Sequence, residues 1–159
     1  MTTPAIQDLI PDNNCFGCGP NNPGGLRLKS FWDGSGNSVA RFVPQPHHCA
    51  GPPHFVNGGI LATIVDCHSI CTAAAAAYLE TGRAIGQAPH QHFATASLAL
   101  DYRRPTPIVA ELLLEAEPKR IADGRYVISC VVIANQKITI EARVEAVAVS
   151  AQWMSAPQR

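Results

Sequence analysis

A single carboxylate, Asp66, stands inside a long apolar segment that begins with the pair Gly58-Gly59. No lysine or arginine occurs between Asn57 and Tyr78, so the segment offers this carboxylate no salt bridge. Burying an ionised carboxylate without a partner costs several kcal/mol, and proteins rarely keep such a group without a use for it. Asp66 is therefore a candidate catalytic group, with a structural carboxylate bonded to a Ser or Thr hydroxyl as the alternative.

The two glycines before Asp66 suit a second catalytic task. Backbone N–H groups at the start of a helix can stabilise the negative charge that develops on a carbonyl oxygen during acyl transfer. Glycines at this place also let a substrate approach the backbone closely. The alternative is that Gly58 and Gly59 only make a tight turn from a loop into a helix.

Hydrophobic patterning predicts the elements that position these residues. A helix is predicted over residues 58–79, with a loop before it at 44–56. Two strands are expected before the helix and four after it, at 26–32, 38–43, 93–102, 108–118, 124–134 and 137–149. A long apolar helix followed by an antiparallel meander must be buried against that sheet, which gives an α+β fold. We expect one domain at 26–150, an N-terminal tail and turn cluster without a regular element at 1–25, and a C-terminal tail at 151–159.

The composition indicates how many domains the chain forms and which kinds of partner it can have. A chain of 159 residues with 47% hydrophobic content suits one domain with a full core. Twelve basic residues balance twelve acidic ones, so the chain has no charge signature of a nucleic-acid or anionic-membrane partner. Only 15% of the residues are charged, which predicts that contacts between subunits cover part of the surface.

Cysteine content and terminal composition predict a cytoplasmic protein. Residues 1–14 lack the basic start and the apolar run of a signal peptide. Six cysteines in a chain of this length do not make a disulfide scaffold. Residues 60–79 approach the length of a transmembrane span, but Asp66 and His68 in the middle of that segment favour a buried core helix.

Two motifs follow one another along the chain. The first runs from Asn57-Gly58-Gly59 to Asp66, and the second begins at Thr95 and ends in Tyr102-Arg103-Arg104-Pro105-Thr106-Pro107. In this order and spacing they resemble the motifs of hotdog-fold acyl-CoA thioesterases, specifically the phenylacetyl-CoA and 4-hydroxybenzoyl-CoA thioesterase superfamily. The resemblance spans residues 15–149. It implies a hotdog fold, in which an antiparallel sheet wraps around one long central helix.

The resemblance also implies roles for individual residues. The first helix amides, here of Gly58 or Gly59, would polarise the thioester carbonyl. Asp66 would drive hydrolysis as a general base for water or as a nucleophile, and Thr95 would assist it with its hydroxyl. Asn57 stands where the family usually has a histidine, so it can donate a hydrogen bond to a carbonyl but cannot carry a positive charge.

The helix geometry predicts that a site needs two subunits. Gly58 and Asp66 are eight residues apart, which separates them by about 12 Å along a helix. A catalytic hydrogen bond spans only about 3 Å, so both groups of one helix cannot easily serve one carbonyl. A two-fold dimer with antiparallel helices would bring Gly58 of one subunit to Asp66 of the other, as in the hotdog family. We therefore expect a homodimer or a dimer of dimers (a homotetramer), and an inactive monomer.

Further residues are candidates for substrate binding. Arg103 and Arg104 follow the strand that carries Thr95 and could meet the phosphates of coenzyme A, although most basic turns are only solvated. His54 could reach the mouth of the site from the loop. Ser97 is expected on the same strand face as Thr95, and its hydroxyl is a weaker candidate for the role of the Thr95 hydroxyl.

The cysteines leave a metal site open as an alternative. Cys15 and Cys18 have the C-x2-C spacing that suits zinc, and His47, His48, Cys49 or His54 could complete the ligands. A second C-x2-C pair is missing, and segments of this kind occur without a metal in thioesterases of this type, so the prediction is no metal and no cofactor. The remaining thiols are expected to be small core residues, at Cys67, Cys71 and Cys130.

The sequence thus predicts an acyl-CoA thioesterase, with acyl-CoA and a second copy of the chain as partners. One alternative is a hotdog module that binds acyl-CoA or another hydrophobic ligand without turning it over. Another is a hydratase or dehydratase on the same fold, for which only His68 or His54 could serve beside Asp66. We expect His68 to be a core histidine, because it lies two residues after Asp66 and points about 200° around the helix.

Overall fold

The computed structural model describes residues 3–157 and consists of one antiparallel sheet and one long helix. The strands are β1 (Lys29–Trp32), β2 (Ser38–Phe42), β3 (His92–Tyr102), β4 (Leu112–Ala122), β5 (Arg125–Ala134) and β6 (Lys137–Val149). The helices are α1 (Gly58–Glu80) and the short α2 (Ala151–Ser155), with 3-10 turns at Ile6–Leu9 and Pro46–His48. The predicted order of two strands, one helix and four strands is confirmed.

The six strands form a single sheet in the order β1-β2-β4-β5-β6-β3. All neighbouring strands are antiparallel. Strand β3 follows α1 in the chain, yet it lies at the far edge, paired only with β6. The crossover by α1 therefore leaves an 11-residue edge strand whose other side is unpaired among the described residues.

Helix α1 is the core of the fold, as its all-round apolar sequence predicts. Leu61, Ile64 and Val65 are at most 2% exposed, and the alanine run from Ala73 to Ala77 packs closely under the sheet. By length and composition α1 would suffice to cross a membrane, but 67% of its most apolar window is buried inside the fold. Burial against its own sheet is what a core helix shows.

The N-terminal segment is more ordered than its composition predicts. The expectation of no regular element in residues 1–25 is wrong at Ile6–Leu9, which form a 3-10 turn with Ile6 and Gln7 buried. The Gln7 amide donates to Ser30 Oγ at 2.8 Å and accepts from Ser30 N at 2.8 Å, so it pins the segment to β1. A buried polar network of this kind leaves no signal in hydrophobic periodicity.

Several other boundaries differ from the sequence prediction, most of all those of β4 and of the C-terminal segment. Strand β4 ends at Ala122 instead of residue 118. Strand β4 begins at Leu112 instead of residue 108, because residues 105–111 belong to a turn in which Ile108 N donates to the carbonyl of His54 at 2.9 Å. Residues 151–155, predicted as tail, form α2, whose N-cap Ser150 accepts from Trp153 N at 3.1 Å.

Candidate active site

Asp66 and Thr95 meet in one cleft, as the sequence predicts. Thr95 Oγ1 donates to Asp66 Oδ1 at 2.5 Å, across from α1 to β3. The cleft has a volume of about 260 Å³ and is mostly apolar, with Ile70, Ala74 and Phe93 in its wall. Met154 of α2 also lines it, so the C-terminal segment contributes to this site.

Burial raises the pKa of the Asp66 carboxyl above its ordinary value. The hydrogen bond from Thr95 opposes this shift and lowers the pKa, while the nearby Cys18 raises it further. A half-buried carboxylate with a raised pKa and one donor is a stronger proton acceptor than a solvated Asp. The arrangement suits a group that takes a proton from water.

A β-bulge in β3 places Thr95 toward the helix. Thr95 pairs with Ala146 and Ser97 with Glu145, so Ala96 is an extra residue in the ladder. Directly opposed residues share a face, and Ala146 and Glu145 lie on opposite faces of β6. Thr95 therefore faces α1 while Ser97 faces away, and the prediction that Ser97 lies on the same face as Thr95 is wrong. Strict alternation predicts a common face because it cannot anticipate a bulge.

The entrance of α1 is built by Asn57 and Tyr102. Asn57 is the N-cap, and its Oδ1 accepts from Gly59 N at 2.8 Å and from Ile60 N at 3.3 Å. Tyr102 Oη donates to the carbonyl of Gly58 at 2.8 Å. Since the cap occupies the amide of Gly59, the amide of Gly58 is the better placed of the two predicted oxyanion donors.

The helix entrance and Asp66 open into different clefts of the same chain. Gly58 and Tyr102 line a second cleft of about 350 Å³, together with Arg103 and Arg104. None of these residues lines the cleft of Asp66. The geometry agrees with the helix-rise calculation, because one subunit does not bring Gly58 and Asp66 to one carbonyl.

The two arginines are partly committed within the chain. Arg103 Nε donates to Glu141 Oε2 at 2.7 Å, and its Nη2 lies 3.6 Å from Asp101 Oδ2. Arg104 Nη1 donates to the carbonyl of Ile138 at 2.7 Å. Arg104 therefore has no carboxylate partner among the described ion pairs, whereas Arg103 does.

The histidines lie apart from Asp66. His68 is fully buried on the opposite side of α1, where Nδ1 is 2.8 Å from Ser30 Oγ and Nε2 is 3.4 Å from Ser38 Oγ. Burial lowers the pKa of His68 to about 4. The prediction of a core histidine is confirmed. His54 is exposed, with its ring tilted by 58° against that of Phe55, and it does not line either cleft.

Four cysteines from two segments meet beside Asp66, which the sequence did not predict. Cys15 and Cys18 of the N-terminal loop lie against α1 at Cys67 and Cys71, and all four line the cleft of Asp66. Hydrogen bonds from Cys15 and Cys67 lower the pKa of the Cys18 thiol, and bonds from Cys15 and Cys18 raise the pKa of Cys67. The histidines proposed to complete a ligand set with Cys15 and Cys18 do not join this group.

Sequence reasoning also missed Tyr102 as a contact of the helix entrance and His92 as a lining residue of the Asp66 cleft. The signal for Tyr102 was its place at the end of the strand that carries Thr95. The i, i+4 spacing of Cys67 and Cys71, which puts both thiols on one helix face, was the signal for the cysteine group.

Comparison with known proteins identifies the family. No protein-family model matches the chain. The crystal structure of a thioesterase superfamily protein from Shewanella loihica PV-4 is 32% identical, with a TM-score of 0.63, and the match covers 77% of this chain and 91% of that one. The chain belongs to the thioesterase superfamily. The hotdog fold predicted from its two motifs is thereby confirmed.

Two further known proteins are similar to this thioesterase-superfamily protein. The PaaI protein of the E. coli phenylacetic acid degradation operon has the same fold at 13% identity, with a TM-score of 0.64 over 79% of this chain and 81% of that one. Acyl-coenzyme A thioesterase THEM4 of Xenopus laevis is 32% identical over 92 residues, which is 58% of this chain. The chain spans about a third of the length of that curated relative, at 35%.

Proposed function

We propose that this chain hydrolyses acyl-CoA thioesters to a free acid and coenzyme A. The observation that carries the proposal is the half-buried Asp66, whose pKa is raised and whose Oδ1 accepts from Thr95 in an apolar cleft. The acyl-coenzyme A thioesterase activity named for the Xenopus laevis relative gives the substrate class.

The proposed reaction uses the carboxylate oxygen that Thr95 leaves free. Thr95 occupies Oδ1, so Oδ2 accepts a proton from water as the water oxygen attacks the thioester carbonyl carbon. The tetrahedral intermediate collapses when the C–S bond breaks, and the proton returns from Asp66 to the departing thiolate. In the other route that the same geometry allows, Oδ2 attacks the carbonyl directly, the C–S bond breaks to release the coenzyme A thiolate, and water then hydrolyses the anhydride to the free acid and Asp66.

A second subunit supplies the oxyanion donor in this proposal. In one chain Gly58 lies in another cleft, so its amide must come from a partner if it is to face the carbonyl that Asp66 serves. Strand β3 is an 11-residue edge, and five consecutive residues from Thr95 to Ala99 are exposed. The unpaired backbone groups of a long uncovered edge strand are a template for pairing with another chain. We propose a homodimer joined along β3.

The residues that line the two clefts suggest which part of the substrate each cleft would bind. The apolar wall around Ile70, Ala74 and Phe93 would hold the acyl group. Arg104 at the helix entrance, without a carboxylate partner among the described ion pairs, would meet a phosphate of coenzyme A. The paired Arg103 would contribute less, because Glu141 already neutralises its charge.

The test is free-thiol release from short, long and aromatic acyl-CoAs, with enoyl-CoA hydration followed in parallel. We expect release of one thiol per acyl-CoA consumed, for at least one member of the panel. Tight binding without thiol release would replace the proposal with a binding module. Hydration of the enoyl-CoA without thiol release would replace it with a hydratase.

A further inference from the structure

Three of the six cysteines form a close cluster between the N-terminal loop and α1, and a fourth, Cys71, lines the same cleft. The sulfur atoms of Cys15, Cys18 and Cys67 all lie within 4.8 Å of one another, and Cys15 Sγ is 3.5 Å from Cys67 Sγ. Cys71 lies one helical turn after Cys67 and lines the same cleft as these three cysteines. All six cysteines of the chain are free thiols.

The loop is shaped to present its thiols to the helix. Gly19 N donates to the carbonyl of Cys15 at 2.8 Å, which closes a tight turn around Cys15 and Cys18. A Cβ on Gly17 would lie 2.2 Å from Cys67 Sγ, so only glycine permits this approach of the loop to α1. Leu28 N donates to the carbonyl of Gly17 at 3.0 Å and fixes the loop to the start of the sheet. Backbone contacts of the loop therefore bring the thiols of Cys15 and Cys18 to α1.

Neither a packed core nor a disulfide explains this cluster. A core cysteine is normally buried, but Cys15 is exposed, so packing does not account for its thiol. A disulfide needs sulfurs about 2.05 Å apart, and it would leave Cys18 and Cys71 without a role. Several thiol groups close to one another are the usual ligands of a soft metal ion.

We propose that Cys15, Cys18, Cys67 and Cys71 bind a zinc ion that ties the N-terminal loop to α1. Zinc in tetrahedral thiolate sites has Zn–S bonds of about 2.3 Å, which puts neighbouring sulfurs about 3.8 Å apart. Cys15 Sγ and Cys67 Sγ are 3.5 Å apart, and the sulfurs of Cys15, Cys18 and Cys67 all lie within 4.8 Å of one another. Cys71, one helical turn from Cys67 in the same cleft, is the fourth ligand of the proposal. Binding releases the four thiol protons, and the resulting centre of four thiolates and one Zn²⁺ carries two negative charges. The site is closed by protein ligands, so its role is structural.

This zinc site revises the ligand set considered from sequence. The C-x2-C pair at Cys15 and Cys18 is joined by Cys67 of α1, and not by His47, His48, Cys49 or His54. Cys71, which lines the same cleft, is proposed as the fourth ligand. The site forms one wall of the cleft that holds Asp66. It does not depend on the proposed hydrolysis, because metal binding has its own readout.

The test measures metal in the full-length protein purified under reducing conditions. We expect about one zinc per chain by elemental analysis. Co²⁺ replacing it should give the sulfur-to-metal charge-transfer absorption of a thiolate site and the visible bands of tetrahedral cobalt. Cys15→Ser and Cys18→Ser should abolish or strongly weaken binding. Cys130→Ser is the matched control, because Cys130 is buried in β5 outside the cluster, and it should keep the full metal content.

Four outcomes would overturn the proposal. One is reduced wild-type protein that is folded by circular dichroism yet binds neither Zn²⁺ nor Co²⁺. A second is metal content unchanged in folded Cys15→Ser and Cys18→Ser proteins, which would place the metal elsewhere. A third is loss of metal from folded Cys130→Ser. The fourth is a Cys15–Cys67 disulfide in protein isolated without reductant, together with no metal binding after reduction, which would make the pair a redox switch. Cys15 is exposed, so its replacement by Ser should leave the fold intact.

Discussion

At the scale of single residues, the proposed function rests on how the pKa of Asp66 is set. Burial raises this pKa and the hydroxyl of Thr95 lowers it. Because a base acts only when ionised, the proposed hydrolysis should fall as the pH drops through the pKa of Asp66. The hydroxyl of Thr95 thus extends the active range toward lower pH.

Replacing Thr95 tests this balance. In Thr95→Ala, burial and Cys18 still raise the pKa of Asp66, and the Thr95 hydrogen bond that lowers it is lost. We expect the acidic limb of the kcat/KM profile to move to higher pH. Thr95→Ser keeps the hydroxyl and should keep the limb near its wild-type position. Identical profiles for Thr95→Ala and wild type would show that this hydrogen bond does not tune the base.

The sequence predicted that Asp66 and Thr95 would be neighbours, but it did not predict every residue around them. Asp66 was found from sequence because an ionisable group in an apolar helix is costly, and Thr95 from its place in the second motif. Ser97 was placed on the wrong face because the bulge at Ala96 reverses the alternation. The cysteine cluster was missed because it joins residues 52 positions apart, Cys15 and Cys67, which no local pattern connects.

At the scale of elements, Asn57 stabilises α1 as its N-cap. Its side chain accepts from the amides of Gly59 and Ile60. Asn57→Ala should lower the free energy of unfolding by about 1 kcal/mol, as loss of an N-cap typically does. Asn57→Ser retains an accepting oxygen and should stay closer to wild type. Urea unfolding of the three proteins gives the comparison, and equal stabilities of Asn57→Ala and wild type would contradict the capping role.

Packing of the N-terminal loop against α1 depends on Gly17. Gly17→Ala would place a methyl group 2.2 Å from Cys67 Sγ, so the loop must move. Forced overpacking of this kind costs about 1–3 kcal/mol. Gly24→Ala is the matched control in the same segment, because its Cβ would meet only Asn22 Oδ1 at 3.7 Å. Thermal unfolding should show a lower Tm for Gly17→Ala alone, and equal Tm values would contradict the close approach.

The elements were predictable wherever periodicity was strong. Helix α1 ends one residue later than predicted and β6 has the predicted bounds, because long patterned segments are apolar on the faces that pack. The 3-10 turn at Ile6–Leu9 was not predictable from its Pro- and Asn-rich surroundings. It is ordered by tertiary contacts, chiefly the bonds between Gln7 and Ser30.

At the scale of the whole molecule, the proposal requires two chains for each site. Gly58→Pro removes the amide N–H in question, and proline is well tolerated as the first residue of a helix. Asn57 already has the extended backbone that a residue before proline needs, at φ −60° and ψ 134°. Loss of one oxyanion donor should lower kcat about 100- to 1,000-fold. Gly58→Ala keeps the N–H and should lose less activity.

Mixing two inactive variants tests the sharing of sites directly. When Gly58→Pro and Asp66→Asn subunits are refolded together in equal amounts, half of the dimers are mixed and each has one intact site. About a quarter of the wild-type activity should return. No recovery, in a preparation shown to contain mixed dimers, would place both groups of a site in the same chain.

The fold of the whole molecule was predictable because two motifs and one element order agreed. The assembly is harder to read from sequence, since low charge content predicts contact between subunits without saying which face makes it. The exposed edge strand β3 is visible only once the sheet order is known.

The most direct test of the central claim compares kcat/KM for wild type and Asp66→Asn with the best acyl-CoA substrate. Asn has nearly the shape of Asp and can still accept from Thr95, so the substitution removes little besides the basic oxygen. The proposed function predicts a loss of at least about 100-fold, or about 2.7 kcal/mol. Equal values of kcat/KM in two folded proteins would contradict it and remove Asp66 from the reaction.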